Sequence, residues 1–378
     1  MTRETLEGKI IVLGVTGSIA ATEVVRLAHE LRRRGAVVQA VMSQAATRIL
    51  HPDAVTYATG RPTITAITGM VEHVLYCGEG GRADLLLVAP CTANTLAKIA
   101  LGIDDTPVTT FATTAIGSGI PVIAAPAMHG SMYRHPAIAG HLKVLAGWGI
   151  DVVEPRMDEG KAKLAATGAI VLHAERALMG RPLRGKRVLV TSGPCAEPVD
   201  DVRILTTRST GQMGREMALE AYRLGAEVTV VHRGHIPVVK NIAVQNAAEM
   251  REAVHGVFRE EGADIYVSAA AISDFAPERV EGKIRSGAPV TLRLDPLPKL
   301  LDEVISAYHP GVIAFKLGRD EEPAAQEMLD RGVNAMVVNP PETMGSPGAE
   351  AVVLTPDGRR TVRGTKEEVA AAVWTDML

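Results

Sequence analysis

Two apolar runs of the chain end on residues able to hold a ligand. Leu85-Leu86-Leu87-Val88 leads into Ala89-Pro90-Cys91-Thr92-Ala93-Asn94-Thr95, and Val122-Ile123-Ala124 leads into Ala125-Pro126-Ala127-Met128-His129-Gly130-Ser131-Met132-Tyr133. Proline cannot donate a ladder hydrogen bond, so Pro90 is expected to end the first strand. The hydroxyl, amide and backbone groups beyond it then face the carboxyl edge, where open α/β sheets bind ligands. Either segment alone reads as an ordinary strand-to-helix turn. Together with a third, Gly-rich turn they predict the rim of a pocket for a flat, phosphorylated cofactor. That third turn, Gly14-Val15-Thr16-Gly17-Ser18-Ile19-Ala20, offers backbone N–H groups and the Ser18 hydroxyl as a phosphate cradle. Its spacing is Gly-x-x-Gly, not the dinucleotide fingerprint, and the second strand closes on Val41-Met42-Ser43 without a ribose-gripping carboxylate. The pattern favours a mononucleotide such as FMN and counts against a nicotinamide oxidoreductase. His73, in Met70-Val71-Glu72-His73-Val74, places an imidazole ahead of a ligand-bearing strand. A lone histidine is more often structural, but imidazole titrates near neutrality and suits proton transfer.

The second half carries a different set. Ser209-Thr210-Gly211 precedes an expected helix over 212–224, offering hydroxyls and free N–H groups to a phosphate. Lys283, Lys299, Lys316 and Arg331 stand on successive strand-end loops. Each alone is best read as a solvated surface group. Four together predict convergence on a triphosphate, with ammonium as a point charge and guanidinium as a fork.

The elements that must position these groups alternate. A strand over 9–14 is followed by a helix whose Val24, Leu27, Ala28 and Leu31 recur at helical spacing, ended by Gly35. Strands are expected at 37–42, 84–89 and 120–124, as apolar runs of the kind parallel sheets bury on both faces. A basic stretch with Gly180, Pro182 and Gly185 marks a boundary near residue 180. Beyond it Arg187-Val188-Leu189-Val190-Thr191-Ser192-Gly193-Pro194 starts a second sheet, with strands near 227–231, 264–269, 311–317 and 334–339, a helix over 247–261, a hairpin turning at Pro356-Asp357-Gly358 and a last helix. The fold class expected is α/β: two doubly wound, mostly parallel sheets, in domains 1–180 and 181–378.

Composition narrows the partners. A net charge of −3 and 3% aromatic residues argue against nucleic acid and an anionic membrane surface. No apolar run approaches the roughly 20 residues of a membrane span, and no signal peptide precedes the first strand. Three cysteines, Cys77, Cys91 and Cys195, lie far apart without a zinc spacing and suit a reducing cytoplasm.

The Gly-x-x-Gly-Ser-Ile-Ala turn, the histidine, Pro-Cys-Thr-Ala-Asn-Thr and Pro-Ala-Met-x-x-x-Met-Tyr resemble the flavin-dependent cysteine decarboxylases, which include phosphopantothenoylcysteine decarboxylase. The likeness spans about residues 8 to 170. It implies a flavodoxin-like domain with FMN bound by Gly17, Ser18, Ile19, Ser43, Cys91, Thr92, Asn94 and Met128, and His73 as the catalytic base. It also implies oxidation of the substrate thiol, loss of CO2 and return of the electrons to the ene-thiol, in a pocket built between protomers of a trimer. Two departures stand out. His129 occupies the position of an asparagine that contacts the substrate carboxylate. The flap Glu159-Gly160-Lys161-Ala162-Lys163-Leu164-Ala165 lacks the cysteine that donates a proton in bacterial enzymes, which makes it archaeal-like and leaves Lys161 or Lys163 as candidate donors.

From about Lys186 onward the chain resembles phosphopantothenate–cysteine ligase, on Thr191-Ser192-Gly193-Pro194 with Pro198-Val199-Asp200, Arg208-Ser209-Thr210-Gly211-Gln212-Met213-Gly214, Ala270-Ala271-Ile272-Ser273-Asp274-Phe275, Gly282-Lys283-Ile284, Ala314-Phe315-Lys316 and Val338-Asn339. The resemblance implies a Rossmann-like domain that binds CTP through Ser268, Ala269, Ala270, Asp274, Lys283, Pro298, Lys299, Leu300, Leu301, Phe315 and Arg331. Mg2+ accompanies the nucleotide, with metal-binding residues unassigned. Thr207 stands for a substrate-binding asparagine and Glu327 for a lysine, so a preference for ATP over CTP stays open. The implied activity is ligation of cysteine to 4'-phosphopantothenate through an acyl-cytidylate, then decarboxylation to 4'-phosphopantetheine, in a homo-oligomer. The alternative is a ligase fused to a regulatory flavin domain without decarboxylase activity.

Overall fold

Four runs of five to seven mostly apolar residues build the centre of the first sheet, and the first three are followed by a capping hydroxyl, at Ser18, Ser43 and Thr92. The computed structural model describes residues 3–318, 321–343, 345–346 and 348–378. The chain divides into two compact units, one running to Met179 and the other from Gly180 to Leu378.

In the first unit β1 (Ile10–Val15), β2 (Val37–Met42), β3 (Leu85–Cys91) and β4 (Val122–Pro126) are joined by a short β6 (Asp151–Val152) in the order β2-β1-β3-β4-β6, all parallel. This is the flavodoxin-like order, with a reversal of direction between β1 and β3. Helices α1 (Val24–Arg33), α2 (Gln44–Thr47), α3 (Pro52–Thr59), α4 (Glu72–Cys77), α5 (Ala93–Leu101), α6 (Pro107–Gly117), α7 (Gly130–Tyr133), α8 (Pro136–Gly147) and α9 (Thr167–Leu178) complete it. The two-residue period of β3 serves both faces. Leu85 and Leu87 pack with Leu27, Leu31 and Ile170, whereas Leu86 and Val88 pack with Leu96 and Phe111. A small antiparallel sheet β5-β8-β7, formed by β5 (Met128–His129), β7 (Arg156–Asp158) and β8 (Lys161–Lys163), shapes the flap into a hairpin.

Pro90 does not end its strand. β3 continues to Cys91, which pairs with Pro126 after a register irregularity beyond Val88. The proline falls within the irregular stretch, where the regular ladder is interrupted and the missing N–H is tolerated.

In the second unit the order is β13-β12-β9-β14-β17-β18-β19-β20. These strands are β9 (Arg187–Pro194), β12 (Glu227–His232), β13 (Lys240–Ala243), β14 (Ile265–Ala271), β17 (Gly311–Leu317), β18 (Ala335–Asn339), β19 (Gly348–Thr355) and β20 (Gly358–Thr365). The first six are parallel in the doubly wound 3-2-1-4-5-6 arrangement, and the terminal hairpin adds two antiparallel strands. Two antiparallel ribbons were not legible beforehand: β10 (Ala196–Pro198) with β11 (Ile204–Thr206), and β15 (Phe275–Pro277) with β16 (Leu294–Pro296). The helices are α10 (Gln212–Arg223), α11 (Ala247–Glu260), α12 (Leu300–Tyr308), α13 (Glu322–Asp330) and α14 (Lys366–Met377). Trp374 of α14 is fully buried, and its Nε1 donates to Met217 O of α10 at 3.0 Å. A buried indole joins a large apolar area to a satisfied donor. Trp374→Ala is expected to cost the C-terminal unit about 3–5 kcal/mol in urea unfolding; a cost below about 1 kcal/mol would remove α14 from its core.

Candidate functional site

The carboxyl ends of β1, β2 and β3 each deliver a capped helix start to one cavity of about 540 Å³. Ser18 Oγ accepts from Ala20 N at 3.4 Å, Ser43 Oγ from Ala46 N at 3.3 Å, and Thr92 Oγ1 from Thr95 N at 3.2 Å. Each cap satisfies one amide of a first turn whose other N–H groups lack intrahelical acceptors. Thr16, almost wholly buried, locks the arrangement: its hydroxyl donates to Pro90 O at 2.7 Å and accepts from Thr92 N at 3.0 Å. Gly17 is required for the first two turns to meet, because a Cβ there would lie 2.5 Å from Ala45 Cβ. Asn94 and Met128 line the same space. This set of hydroxyls, amides and one thioether fits a planar cofactor carrying a phosphate monoester.

A second cavity of about 390 Å³ shares Ser18 and Met128 and adds Ile19, His129 and the hairpin residues Arg156, Lys161 and Lys163. His129 Nδ1 caps α7, accepting from Ser131 N at 3.4 Å and lying 2.9 Å from Ser131 Oγ. In the neutral ring that acceptor role puts the proton on Nε2, leaving Nε2 as the donor for a ligand. The two flap lysines differ. Lys163 is held by Asp158 at 2.6 Å and Glu159 at 3.1 Å, and the hydrogen bond to Asp158, followed by that to Glu159, raises its pKa. Lys161 lies opposite His129 across the β5–β8 pairing.

Two expected members stand elsewhere. Cys91 is fully buried in the core beside Leu96 and Phe111, and burial pushes its thiol up to about 12. Its side chain faces away from the cavity, while its carbonyl accepts from Ala127 N at 3.0 Å. His73 sits on α4 and lines neither cavity; its Nδ1 is buried without a hydrogen-bond partner. Beside it Met70, Val71, Val74 and Leu75 are exposed apolar side chains.

In the second unit the loop before α10 docks onto β9. Ser192 Oγ donates to Gly211 O at 3.0 Å, and Gly211 takes φ +72°, with its absent Cβ only 2.9 Å from Gly193 Cα. Ser209, Thr210 and Gly211 line a cavity of about 140 Å³ together with Ala269, Ala270 and Phe315. Thr207 orders this loop, its Oγ1 accepting from Ser209 N at 3.4 Å. Ser268 is half-buried on β14. Lys299, at the start of α12, ion-pairs with Asp274, whose carbonyl accepts from Leu297 N at 2.9 Å. Pro298 is exposed beside them, whereas the Leu300 and Leu301 side chains pack into the core, so only their backbone is available at this edge.

The expected convergence of four cations within one chain does not occur. Lys316 lines the cavity and ion-pairs with Glu321 at 3.2 Å. Arg331 caps the end of α13, ahead of β18, at the edge where the strands begin. A helix returning from one parallel strand to the next must end at that opposite edge. Lys283 is exposed on a segment that Asp200 holds in place. The Asp200 carboxylate accepts from Val202 N at 2.8 Å, Arg203 N at 2.6 Å and Ile284 N at 3.0 Å, and also pairs with the Arg203 guanidinium.

Two polar groups of the 140 Å³ cavity escaped assignment. Asn339 Oδ1 is buried with no partner among the described residues. Lys366, the first residue of α14, is 9% exposed and donates to Gln212 Oε1 at 2.9 Å. The signal was present in the sequence: a lysine just after the capping threonine sits at a helix N-terminus, which the helix dipole disfavours.

Residues 1–178 match the family model Flavoprotein, and residues 183–378 match the DNA/pantothenate metabolism flavoprotein C-terminal domain. The coenzyme A biosynthesis bifunctional protein CoaBC of Thermococcus kodakarensis is 45% identical over 386 residues, covering 98% of this chain and 95% of that protein. Its namesake from Methanocaldococcus jannaschii is 34% identical over 383 residues, covering 97% and 93%. Among solved structures, the C-terminal domain of a CoaBC protein aligns with 52% of this chain and 96% of its own at 27% identity and a TM-score of 0.44.

Asp200 yields a pH-dependent prediction. Burial works to raise its pKa, but the N–H groups of Ile284, Val202 and Arg203 and the Arg203 side chain together hold it well below the usual carboxylate range. A group depressed on folding stabilises fully above its unfolded pKa of about 4 and loses that contribution as pH falls below it. Asp200→Asn is therefore expected to destabilise the C-terminal unit in urea at pH 7, with the gap to wild type narrowing at pH 3. An equal gap at both pH values would show that the carboxylate charge is not what holds the segment.

Proposed function

The chain belongs to the family of bifunctional coenzyme A biosynthesis proteins, with a phosphopantothenoylcysteine decarboxylase half and a phosphopantothenate–cysteine ligase half, and we propose that it binds FMN in the first and uses CTP with Mg2+ in the second. The reading of a regulatory flavin domain is not favoured, since the relatives that span the whole chain are bifunctional. The observation that carries the proposal is the meeting of three capped helix starts, at Ser18, Ser43 and Thr92, on one cavity.

In the decarboxylase half Ser18, Ser43, Thr92, Asn94 and the backbone at Gly17 hold the cofactor. When bound, FMN supplies a two-electron oxidant for the substrate thiol. His129 Nε2 donates to the substrate carboxylate and orients it for loss as CO2. His73 takes the thiol proton on its imidazole. Because His73 lies outside the cavities of its own chain, a second copy brings it to the site, and the apolar side chains around it form the contact, which supports a homo-oligomer built on trimers. Lys161, rather than the doubly paired Lys163, returns the proton in the last step, because Lys163 would have to leave two carboxylates to do so.

In the ligase half the 4'-phosphopantothenate carboxylate attacks the α-phosphorus of CTP; a C–O–P linkage forms and pyrophosphate leaves. The cysteine amine then attacks the acyl carbon, the C–N bond forms, and the C–O bond breaks with its electron pair leaving on CMP. The ammonium form of cysteine releases two protons in all. Lys283, Lys299 and Lys316 supply positive charge to the phosphates, the latter two exchanging surface carboxylates for phosphate oxygens. Among the described residues no cluster of three His, Cys, Asp or Glu forms a metal cage. Mg2+ therefore arrives on the nucleotide, consistent with its habit of keeping water and phosphate ligands. Nothing in the chemistry needs a membrane or a nucleic acid, and a cytoplasmic setting fits the free thiols.

Mass spectrometry of products from 4'-phosphopantothenate, cysteine, CTP and Mg2+ is expected to show 4'-phosphopantetheine; accumulation of the cysteine adduct alone would defeat the decarboxylase assignment. His73→Asn should cut CO2 release at least about a hundredfold while ligation continues. Lys283→Ala should do the reverse, slowing ligation while added adduct is still decarboxylated; normal ligation kinetics would remove Lys283 from the site.

A further inference from the structure

The 140 Å³ cavity at the carboxyl edge of β14, β17 and β18 contains an unusual pair of polar groups. Lys366 is nine-tenths buried, yet its ammonium rests on a neutral carboxamide, Gln212 Oε1, at 2.9 Å. The contrast within the same unit is Arg223, more deeply buried but flanked by Glu220 and Glu367, each at 3.1 Å. Glu216 attracts the Lys366 charge through space, against a burial that lowers its pKa. An ammonium in such a place is costly unless an anion completes it. Its position at the start of α14, against the helix dipole, adds to that cost. Opposite in need is Asn339, whose buried Oδ1 has no donor among the described residues. Ala269, Ala270, Ala271 and Met213 add apolar wall, while Ser209, Thr210, Thr343 and Lys316 are its other polar lining.

A cation lacking an anion and an acceptor lacking a donor, in one small cavity, match a zwitterion. Ser209, Thr210 and Lys316, which line the same cavity, are left to the nucleotide phosphates, so the amino acid is matched to Lys366 and Asn339. Accordingly, we propose that this cavity is the subsite for the amino acid co-substrate, with Lys366 holding the cysteine carboxylate and Asn339 accepting from its amine. The assignment rests on the ligase reading. It explains how the amine is presented with its lone pair free, beside Phe315 and Ala270, where the activated acyl group is expected. Both residues are substrate-positioning groups, and neither forms or breaks a bond.

The test compares cysteine with cysteamine, which keeps the amine and thiol but has no carboxylate. The wild type is expected to prefer cysteine in kcat/KM by at least about tenfold, the scale of one charged hydrogen bond. Lys366→Met should raise KM for cysteine by about that factor and abolish the preference. Asn339→Ala should raise KM for both amines and keep the preference. Pyrophosphate release from CTP and 4'-phosphopantothenate, measured without amine, reports the rest of the site. Unchanged KM and preference in Lys366→Met would overturn the proposal. So would loss of pyrophosphate release in that variant, which would give the lysine to the nucleotide. If a variant does not fold, the wild type still decides, because equal use of the two amines excludes a carboxylate subsite. A wild type that releases no pyrophosphate would instead defeat the ligase reading itself.

Discussion

In a parallel sheet each strand hands the chain to a helix at the same edge, so the unsatisfied N–H groups of every first turn collect there. Both units depend on that polarity. In the first, the loops after β1, β2 and β3 use Ser18, Ser43 and Thr92 as caps, and the Thr16 hydroxyl fixes the spacing between two of them. In the second, the Gly211 turn lies against β9, and the carboxyl ends of β14 and β17 open on the same cavity. The same polarity sends Arg331 to the far edge. A residue's distance in sequence from a strand end therefore matters less than which end it follows.

Positive charge near the two sites is held in three ways, with different consequences for ligands. Lys299 and Lys316 pair with carboxylates at partly exposed positions, where such pairs contribute about 0–1 kcal/mol and exchange readily for a phosphate. Arg223 is dry and doubly compensated, so withdrawing its partners would leave an uncompensated buried charge; it is structural. Lys366 is nine-tenths buried at a cavity, without a contacting carboxylate among the described residues, the condition in which a ligand anion gains most from arriving. Burial and partner chemistry, rather than the number of lysines, separate these roles.

The first unit shows how a polar group acquires direction from its neighbours. An isolated histidine presents two nitrogens and no preference between them. At the start of α7, His129 spends Nδ1 on the Ser131 amide, which leaves Nε2 as the single donor. The asparagine expected at this position would offer its amide in the same sense, so the replacement keeps the donor and alters its reach. The flap acts similarly on its lysines: the strand alternation puts Lys161 and Lys163 on one face, but Asp158 and Glu159 at the hairpin turn restrain Lys163, while Lys161 pairs in register with His129.

Periodicity and turn chemistry made the parallel strands and the Gly-rich turn legible, because these are local: Leu85 to Val88 must be a buried strand, and Gly14 to Ala20 must turn the chain from strand to helix. The ribbons β10–β11 and β15–β16 were not legible, since each has three residues per strand and no alternation to read. Pro90 misled because the rule about missing donors is a rule about ladder positions, and an irregular register supplies a position with no ladder bond. The Cys91 thiol misses the cavity although its neighbours reach it, because the irregularity between Val88 and Cys91 breaks the two-residue period and turns this side chain to the core face of Leu86 and Val88. Lys366 and Asn339 are separated by an antiparallel hairpin and meet at one cavity only in three dimensions. No spacing rule joins them. What identifies them is thermodynamic: each is a buried polar group whose own protein partners leave it incomplete, in opposite senses.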